Sequence, residues 1–280
     1  MSRTINVRGQ LIDLSNPKIM GVLNITPDSF YRGSRLNSEA EIIDRASEML
    51  QSGAAILDIG GYSSRPGADD IPEKEELKRV TGALKILRRE FPSAILSLDT
   101  FRSSIADIAI LEYGVDIIND VSAGTIDDKM FDIIEKHGVP YILMHMRGNP
   151  QNMQNNPVYD DIVTEIIRWF SAKKHELVLR GVRDIIIDPG FGFGKTIEHN
   201  FILLNNLERF NILDLPVLAG LSRKSMIWKT LGVSPEESLN GTVVLNTIAL
   251  LKGVSILRVH DVSEAVEAVK LVGRLHASKS

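Results

Sequence analysis

Short apolar runs separated by amphipathic stretches recur along this chain. The runs are Ile19 to Leu23, Ala55 to Ile59, Ala94 to Leu98, Val115 to Ile118, Tyr141 to Met144, Ile185 to Ile187, Val217 to Leu221 and Ile256 to Val259. Runs this short and this continuous read as buried strands. Between them the pattern changes to a helical period. Ile42, Ile43, Ala46, Met49 and Leu50 share one face behind a Ser38-x-x-Glu41 capping box. Leu77, Val80, Leu84 and Leu87 form a second such stripe, and Val262, Ala265, Val266 and Val269 the last. Residues 4 to 14 read as a hairpin turning near Gly9. Eight strand–helix repeats predict a parallel sheet with helices outside, and closure into an α/β (β/α)8 TIM barrel is the economical topology. An open doubly wound sheet is the alternative, but it more often carries fewer repeats or a second domain. No linker, charge block or low-complexity segment interrupts the pattern. One domain is therefore expected over residues 1–280, with the hairpin at about 4–14 and the barrel at about 18–276. A helix over 235 to 252, with Leu239, Val243, Val244, Thr247 and Leu250, suits either an interface or a wide core face.

Polar residues close nearly every apolar run. They are Asn24, Asp58, Asp99, Asn119-Asp120, His145, Asp188, Arg223-Lys224-Ser225, Arg258 and His260. One such residue would be a cap or a satisfied core group. A ring of them at the carboxyl ends of barrel strands marks an active-site mouth, because each buried polar group needs a partner. Three connections on that side are longer or odder than packing requires: Asn24 to Asn37, Gly60 to Pro72 and Met146 to Pro157. Gly60, Gly61 and Gly67 supply hinges, so the first two are expected to act as lids. The stretch Asp188-Pro189-Gly190-Phe191-Gly192-Phe193-Gly194-Lys195 fails as a P-loop, since Pro189 stands where the first glycine belongs. It fails as a dinucleotide fingerprint too, through its spacing and its late position. What remains is an acid at a strand's carboxyl end facing a glycine loop, and taken alone Asp188 is as readily a turn residue or helix cap as a functional acid.

Charge and composition narrow the chemistry. A net charge of −4 argues against a nucleic-acid or anionic-membrane surface. The absence of cysteine excludes disulfides, thiolate metal sites and a cysteine nucleophile. No apolar leader and no run of about 18 apolar residues is present, so a cytoplasmic protein is expected. His145 and His260 are thin ligation for zinc, and a structural or anion-binding role suits each better. Lys224, beside Arg223 and Ser225, suits an oxygen or anion contact better than a Schiff base. Asp99, Asp188 and Asn119 could instead hydrogen-bond a flat heterocycle rich in N–H groups. Arg258, His260 and Asn24 could hold an anionic group, with a hard cation at the Asn24 oxygen.

These residues also match a known family in order. Asn24-Ile25-Thr26-Pro27-Asp28-Ser29-Phe30, Asp58-Ile59-Gly60-Gly61, Ser63-Ser64-Arg65-Pro66-Gly67, Ser97-Leu98-Asp99-Thr100 and Asn119-Asp120 resemble dihydropteroate synthase. So do Leu143-Met144-His145, Asp188-Pro189-Gly190-Phe191-Gly192-Phe193, Ser222-Arg223-Lys224-Ser225 and Arg258-Val259-His260-Asp261. The resemblance covers about residues 18 to 275 and all eight strand ends. It implies a homodimeric TIM barrel of folate biosynthesis and a sulfonamide target. Such enzymes join 6-hydroxymethyl-7,8-dihydropterin diphosphate to p-aminobenzoate by a dissociative substitution. By motif, Asp99, Asn119, Asp188, Lys224, Phe193 and Met144 would meet the pterin, and Asn24, Arg258 and His260 the diphosphate, with Mg2+ at Asn24. Ser64, Arg65, Pro66, Phe30, Phe193 and Ser225 would line the p-aminobenzoate side. Asp99, Asp188, Lys224, Asp28 and Arg65 would carry the catalysis. Two places depart from the family pattern. Tyr31-Arg32-Gly33-Ser34 replaces Ser-Asp-Gly-Gly, and Tyr62 and Ser64 replace the acid and the threonine of Glu-Ser-Thr-Arg-Pro-Gly. A pterin-dependent methyltransferase domain shares the barrel and a similar pocket, but Arg65, Arg258 and His260 and the lack of a corrinoid-partner module argue against it. A non-catalytic pterin-binding paralogue would not need both lid motifs.

Overall fold

The computed structural model describes residues 4–25, 39–62, 71–148, 153 and 157–278. The chain opens with an antiparallel hairpin of β1 (Thr4–Val7) and β2 (Gln10–Asp13) that turns at Arg8-Gly9. The parallel strands follow as β3 (Lys18–Asn24), β4 (Ile56–Gly60), β5 (Ile95–Asp99), β6 (Ile117–Asp120), β7 (Tyr141–Met144), β8 (Ile185–Asp188), β9 (Leu218–Ala219) and β10 (Ile256–Val259). Their order in the sheet is β8-β7-β6-β5-β4-β3-β10-β9. A parallel bridge between Ile187 and Val217 joins the two edges, supported by a 3.0 Å bond from the Ile187 amide to the Pro216 carbonyl. The sheet is thus nearly closed into a barrel. β9 is shorter than its apolar run, Val217 to Leu221, because the backbone turns at Leu221: its carbonyl accepts from the Lys224 amide, and Arg223 takes a positive φ of 55°.

The helices are α1 (Glu39–Gln51), α2 (Glu73–Glu90), α3 (Ser103–Tyr113), α4 (Met130–His137), α5 (Ile162–Leu179), α6 (Ile197–Asn205), α7 (Ser225–Leu231), α8 (Leu239–Leu251) and α9 (Val262–Ala277). The predicted stripes face the strands. α1 buries Ile42, Ala46 and Met49, α2 buries Val80, Leu84 and Leu87, and α9 buries Val262 and Ala265 while Val266 and Val269 pack at the core's edge. The segment from 235 is a 3-10 turn followed by α8, which turns Thr242, Leu245, Asn246, Ala249 and Leu250 inward and leaves Val244 exposed. Among the described residues no helix is long and apolar enough to cross a membrane.

The period of two along each strand sorts side chains between the barrel's inside and its helix-covered outside. Met20, Ile56, Ile117, Ile142, Ile186, Leu218 and Ile256 fill the lower interior together with Ile5, Val7 and Leu14 of the hairpin segment. The hairpin therefore stops the end of the barrel opposite the mouth. Polar bonds hold it there. Arg8 Nη2 donates to Asp116 at 2.7 Å and to the Ala94 carbonyl at 3.0 Å, and the Asn6 amide donates to Asp184 at 2.9 Å. Asp116 is buried and also accepts from the Leu96 amide and from Arg88. An Asp116→Asn substitution places an amide group against two guanidinium groups, so it is expected to cost about 2 kcal/mol of stability. Urea denaturation checks this, and an unchanged midpoint would show that the plug contributes nothing.

Candidate active site

One layer above the apolar floor, the same inward positions carry polar groups. Asp58, Asp99, Asn119, Asp188 and Arg258 stand there at the carboxyl ends of β4, β5, β6, β8 and β10. Arg258 is at the centre. Its Nε donates to Asp58 at 2.7 Å and its Nη2 to Asp99 at 2.7 Å. Asn119 Nδ2 donates to the same Asp58 oxygen at 3.1 Å, so four side chains form one connected network. Asn24 joins from β3: a Cβ added at Gly60 would lie 3.2 Å from its Oδ1 and 3.7 Å from Asp99 Cβ. A glycine at 60 is what lets these two polar groups share the rim.

The opposite wall is cationic. Lys224 Nζ donates to the Phe191 carbonyl and lies 4.7 Å over the Phe193 ring. Gly220 leaves room for it, since a Cβ there would be 3.8 Å from Lys224 Nζ and 3.9 Å from Arg258 Cβ. Asp188 accepts from the Gly190 amide at 2.8 Å, which fixes the start of the glycine loop. Met144 packs with Tyr62, Phe101 and Val121, with Phe193 against them, and gives the mouth an apolar side. His260 lies at the rim with Nδ1 3.1 Å from Ser222 Oγ, and Ser225 opens α7, half-buried.

Burial and charge oppose each other throughout this cluster. Burial pushes the Asp99 carboxyl up to about 7, with Arg258 pulling it down and Asp58 pushing it further up. Burial also raises Asp188, against the attraction of Lys224 and the bond from Gly190. Burial brings Lys224 down to about 8, against the attraction of Asp188. Burial disfavours the Arg258 charge, but attraction to Asp58 and Asp99 outweighs it and raises that pKa.

Not every polar strand end reaches the mouth. Asp120 follows Asn119 and so faces outward, where it accepts from Tyr141 Oη at 2.7 Å and from Ser122 and Gly124. His145 also turns outward, its ring edge-on to Trp169 at 5.0 Å. Arg223 pairs with Asp261. Asp28, Phe30, Ser64, Arg65, Pro66 and the capping residue Ser38 lie outside the described residues. Tyr62, one of the departures from the family pattern, is buried edge-to-face with Phe101 at 5.1 Å. Sequence reasoning placed Asp58 in the ring but gave it no task. Its position two residues above Ile56, on the same inward face, is the signal that could have found it.

A family profile described as "Pterin binding enzyme" matches residues 20–260. The chain is 40% identical to dihydropteroate synthase of Escherichia coli (strain K12) over 267 residues, 95% of this chain and 94% of that protein. It is 43% identical to that of Synechocystis sp. (strain ATCC 27184 / PCC 6803 / Kazusa) over 262 residues, covering 92% and 89%. Among solved structures, Yersinia pestis dihydropteroate synthase with a sulfonamide drug complex superposes with a TM-score of 0.92 at 40% identity, covering 98% and 99% of the two chains. The Xanthomonas albilineans enzyme with 4-aminobenzoic acid gives 0.91 at 37%, covering 99% of each. Profile, sequence and fold agree over nearly the whole length, and the chain belongs to the dihydropteroate synthases, transferases of folate synthesis within the pterin-binding enzyme family.

Proposed function

We propose that this mouth joins 6-hydroxymethyl-7,8-dihydropterin diphosphate to p-aminobenzoate, giving 7,8-dihydropteroate and pyrophosphate, by a dissociative substitution. The observation that carries this reading is the single network of Asp58, Asp99, Asn119 and Arg258 facing Asp188 and Lys224. Asp99, Asn119, Asp188 and Lys224 bind the pterin edges, with Met144 and Phe193 against its faces. The bond from the pterin methylene to the diphosphate oxygen breaks with its electron pair leaving on the diphosphate. The methylene cation spreads into the ring, where Asp99 and Asp188 offset its charge. Arg258, His260 and Asn24 hold the departing anion. The arylamine nitrogen then bonds to the methylene and loses a proton. Ser64, Arg65, Pro66, Phe30 and Ser225 line the amine's side, and Asp28 and Arg65 complete the catalytic set.

A hard cation fits this site only as a companion of the diphosphate. Among the described residues no cluster of three acidic or histidine side chains could hold a metal. Asn24 offers one neutral oxygen at the rim, the kind of sparse donor set that Mg2+ accepts when phosphate oxygens and water complete its shell. Bound there, it would neutralise charge on the leaving group. A homodimer in the cytoplasm is part of the same reading.

A secondary deuterium isotope effect at the pterin methylene tests the mechanism. A normal effect clearly above one is expected, and a value near one would mean that the amine attacks before the diphosphate has left. The titrating groups give a second test. Below about pH 7 Asp99 keeps its proton and cannot offset a cation, and above about pH 8 Lys224 loses its charge. Accordingly, kcat/KM for the pterin diphosphate should rise through about 7 and fall beyond about 8, and Asp99→Asn should abolish the acidic limb. An acidic limb that survives in Asp99→Asn belongs to another group.

A further inference from the structure

The loop that follows β8 is held by a buried lysine with no part in the reading above. Lys195 is 3% exposed. Its Nζ donates to the Phe193 carbonyl at 2.9 Å and to the His145 carbonyl at 3.2 Å, and it lies 3.1 Å from His145 Nδ1. Three acceptors match the three hydrogens of an ammonium group. The arrangement makes Nδ1 the unprotonated nitrogen of the His145 ring. Burial, then repulsion from Lys195 and Arg147, holds that ring's pKa well below its ordinary value, and a neutral imidazole is the form that can accept. Burial lowers Lys195 as well, while attraction to Asp188 favours its charge.

The loop lies directly on the chain leaving β7. Gly190 and Gly194 have φ of +70° and +61°. A Cβ at Gly190 would fall 2.0 Å from the His145 carbonyl oxygen, and one at Gly194 would fall 2.6 Å from that of Arg147. Backbone contact this close leaves the loop one way to sit, and Lys195 ties the two segments together across it. On its other side the loop meets Lys224, through the Phe191 carbonyl and the Phe193 ring.

We propose that Lys195 is a positioning residue for the transfer reaction. By tying the Phe193 carbonyl to the end of β7, it fixes the Phe191 carbonyl and the Phe193 ring against Lys224, and so keeps Lys224 beside Asp188. The inference rests on the assignment of Lys224 to the pterin site.

The test is a double-mutant cycle in the full chain with Lys195→Met, Lys224→Met and the pair, measuring kcat and KM for both substrates. Each single change should lower kcat/KM for the pterin diphosphate at least about tenfold, and the pair should fall no more than about threefold below the worse single. Losses that multiply, or a Lys195→Met enzyme within about twofold of wild type, would overturn the proposal while leaving the site assignment standing. A near-normal Lys224→Met enzyme would instead refute the assignment, and the inference with it. Nitrogen NMR of the histidine-labelled wild-type protein gives a second check, even if Lys195→Met fails to fold. His145 Nδ1, assigned by its loss in His145→Gln, should show the shift of an unprotonated ring nitrogen at about pH 7 to 8. A protonated Nδ1 removes one of the three acceptors and sinks the arrangement.

Discussion

An Asp188→Asn enzyme is expected to lose about 2–4 kcal/mol of transition-state stabilisation, about thirtyfold to a thousandfold in kcat/KM, through charge-assisted bonds worth roughly 1.5–3 kcal/mol each. The amide still offers an oxygen to the Gly190 amide, whose 2.8 Å bond to Asp188 begins the glycine loop, so the fold should survive. What disappears is the charge. On the proposed mechanism the cation forming on the pterin would lose one of its two counter-charges, and Lys224 would lose the attraction that offsets its burial. Steady-state kinetics beside a urea midpoint separate the two effects. Activity within a few-fold of wild type, with the fold intact, would mean that the substrate does not lie against Asp188.

Arg258→Ala is expected to damage the fold as well as the site. Arg258 bonds to both Asp58 and Asp99, and Asp58 is fully buried. Removing one member of a buried ion pair costs about 3–5 kcal/mol, and partial exposure of the Arg258 side chain places this case near about 3. The sign with pH follows from Asp99. Its folded-state pKa is already raised by burial and rises further without the guanidinium, so the protonated acid is the form the folded variant prefers. The penalty should be smallest below about pH 7, where Asp99 is protonated in both folded proteins, and grow as pH rises above about 7, where the wild-type acid ionises beside Arg258 and the variant's acid keeps its proton. Urea denaturation at two pH values measures this, and equal penalties at both would show that Asp99 is not involved. In binding, affinity for the pterin diphosphate should fall more than affinity for free 6-hydroxymethyl-7,8-dihydropterin. Equal losses would assign Arg258 to the ring rather than to the anion.

Much of the barrel was legible because buried parallel strands must be apolar without interruption, and those runs mark themselves. The mouth was legible for the complementary reason: an acid, amide or guanidinium at the end of such a run has no bland explanation when the next run does the same. Direction was harder to see. Asn119 and Asp120 are neighbours in the chain, yet only the first faces the barrel interior, and choosing between them requires the strand's phase against Ile117. The end of β9 escaped the pattern because Leu221 is as apolar as Leu218, and it is the backbone turn at Arg223 that takes it out of the sheet. Lys195 was the least readable. Sequence presents it as the tail of a failed phosphate loop, whereas the fold sets it against His145, a residue 50 positions earlier.

The stopper at the floor of the barrel has a consequence for how the molecule is made. Its anchors come from far downstream: Arg8 waits for Asp116, a separation of 108 residues, and Asn6 for Asp184, a separation of 178. The hairpin is therefore synthesised well before the residues that seat it. Long-range closure of this kind slows folding and leaves apolar surface uncovered meanwhile. Ile5, Val7 and Leu14 must stay in solvent until most of the barrel exists to receive them.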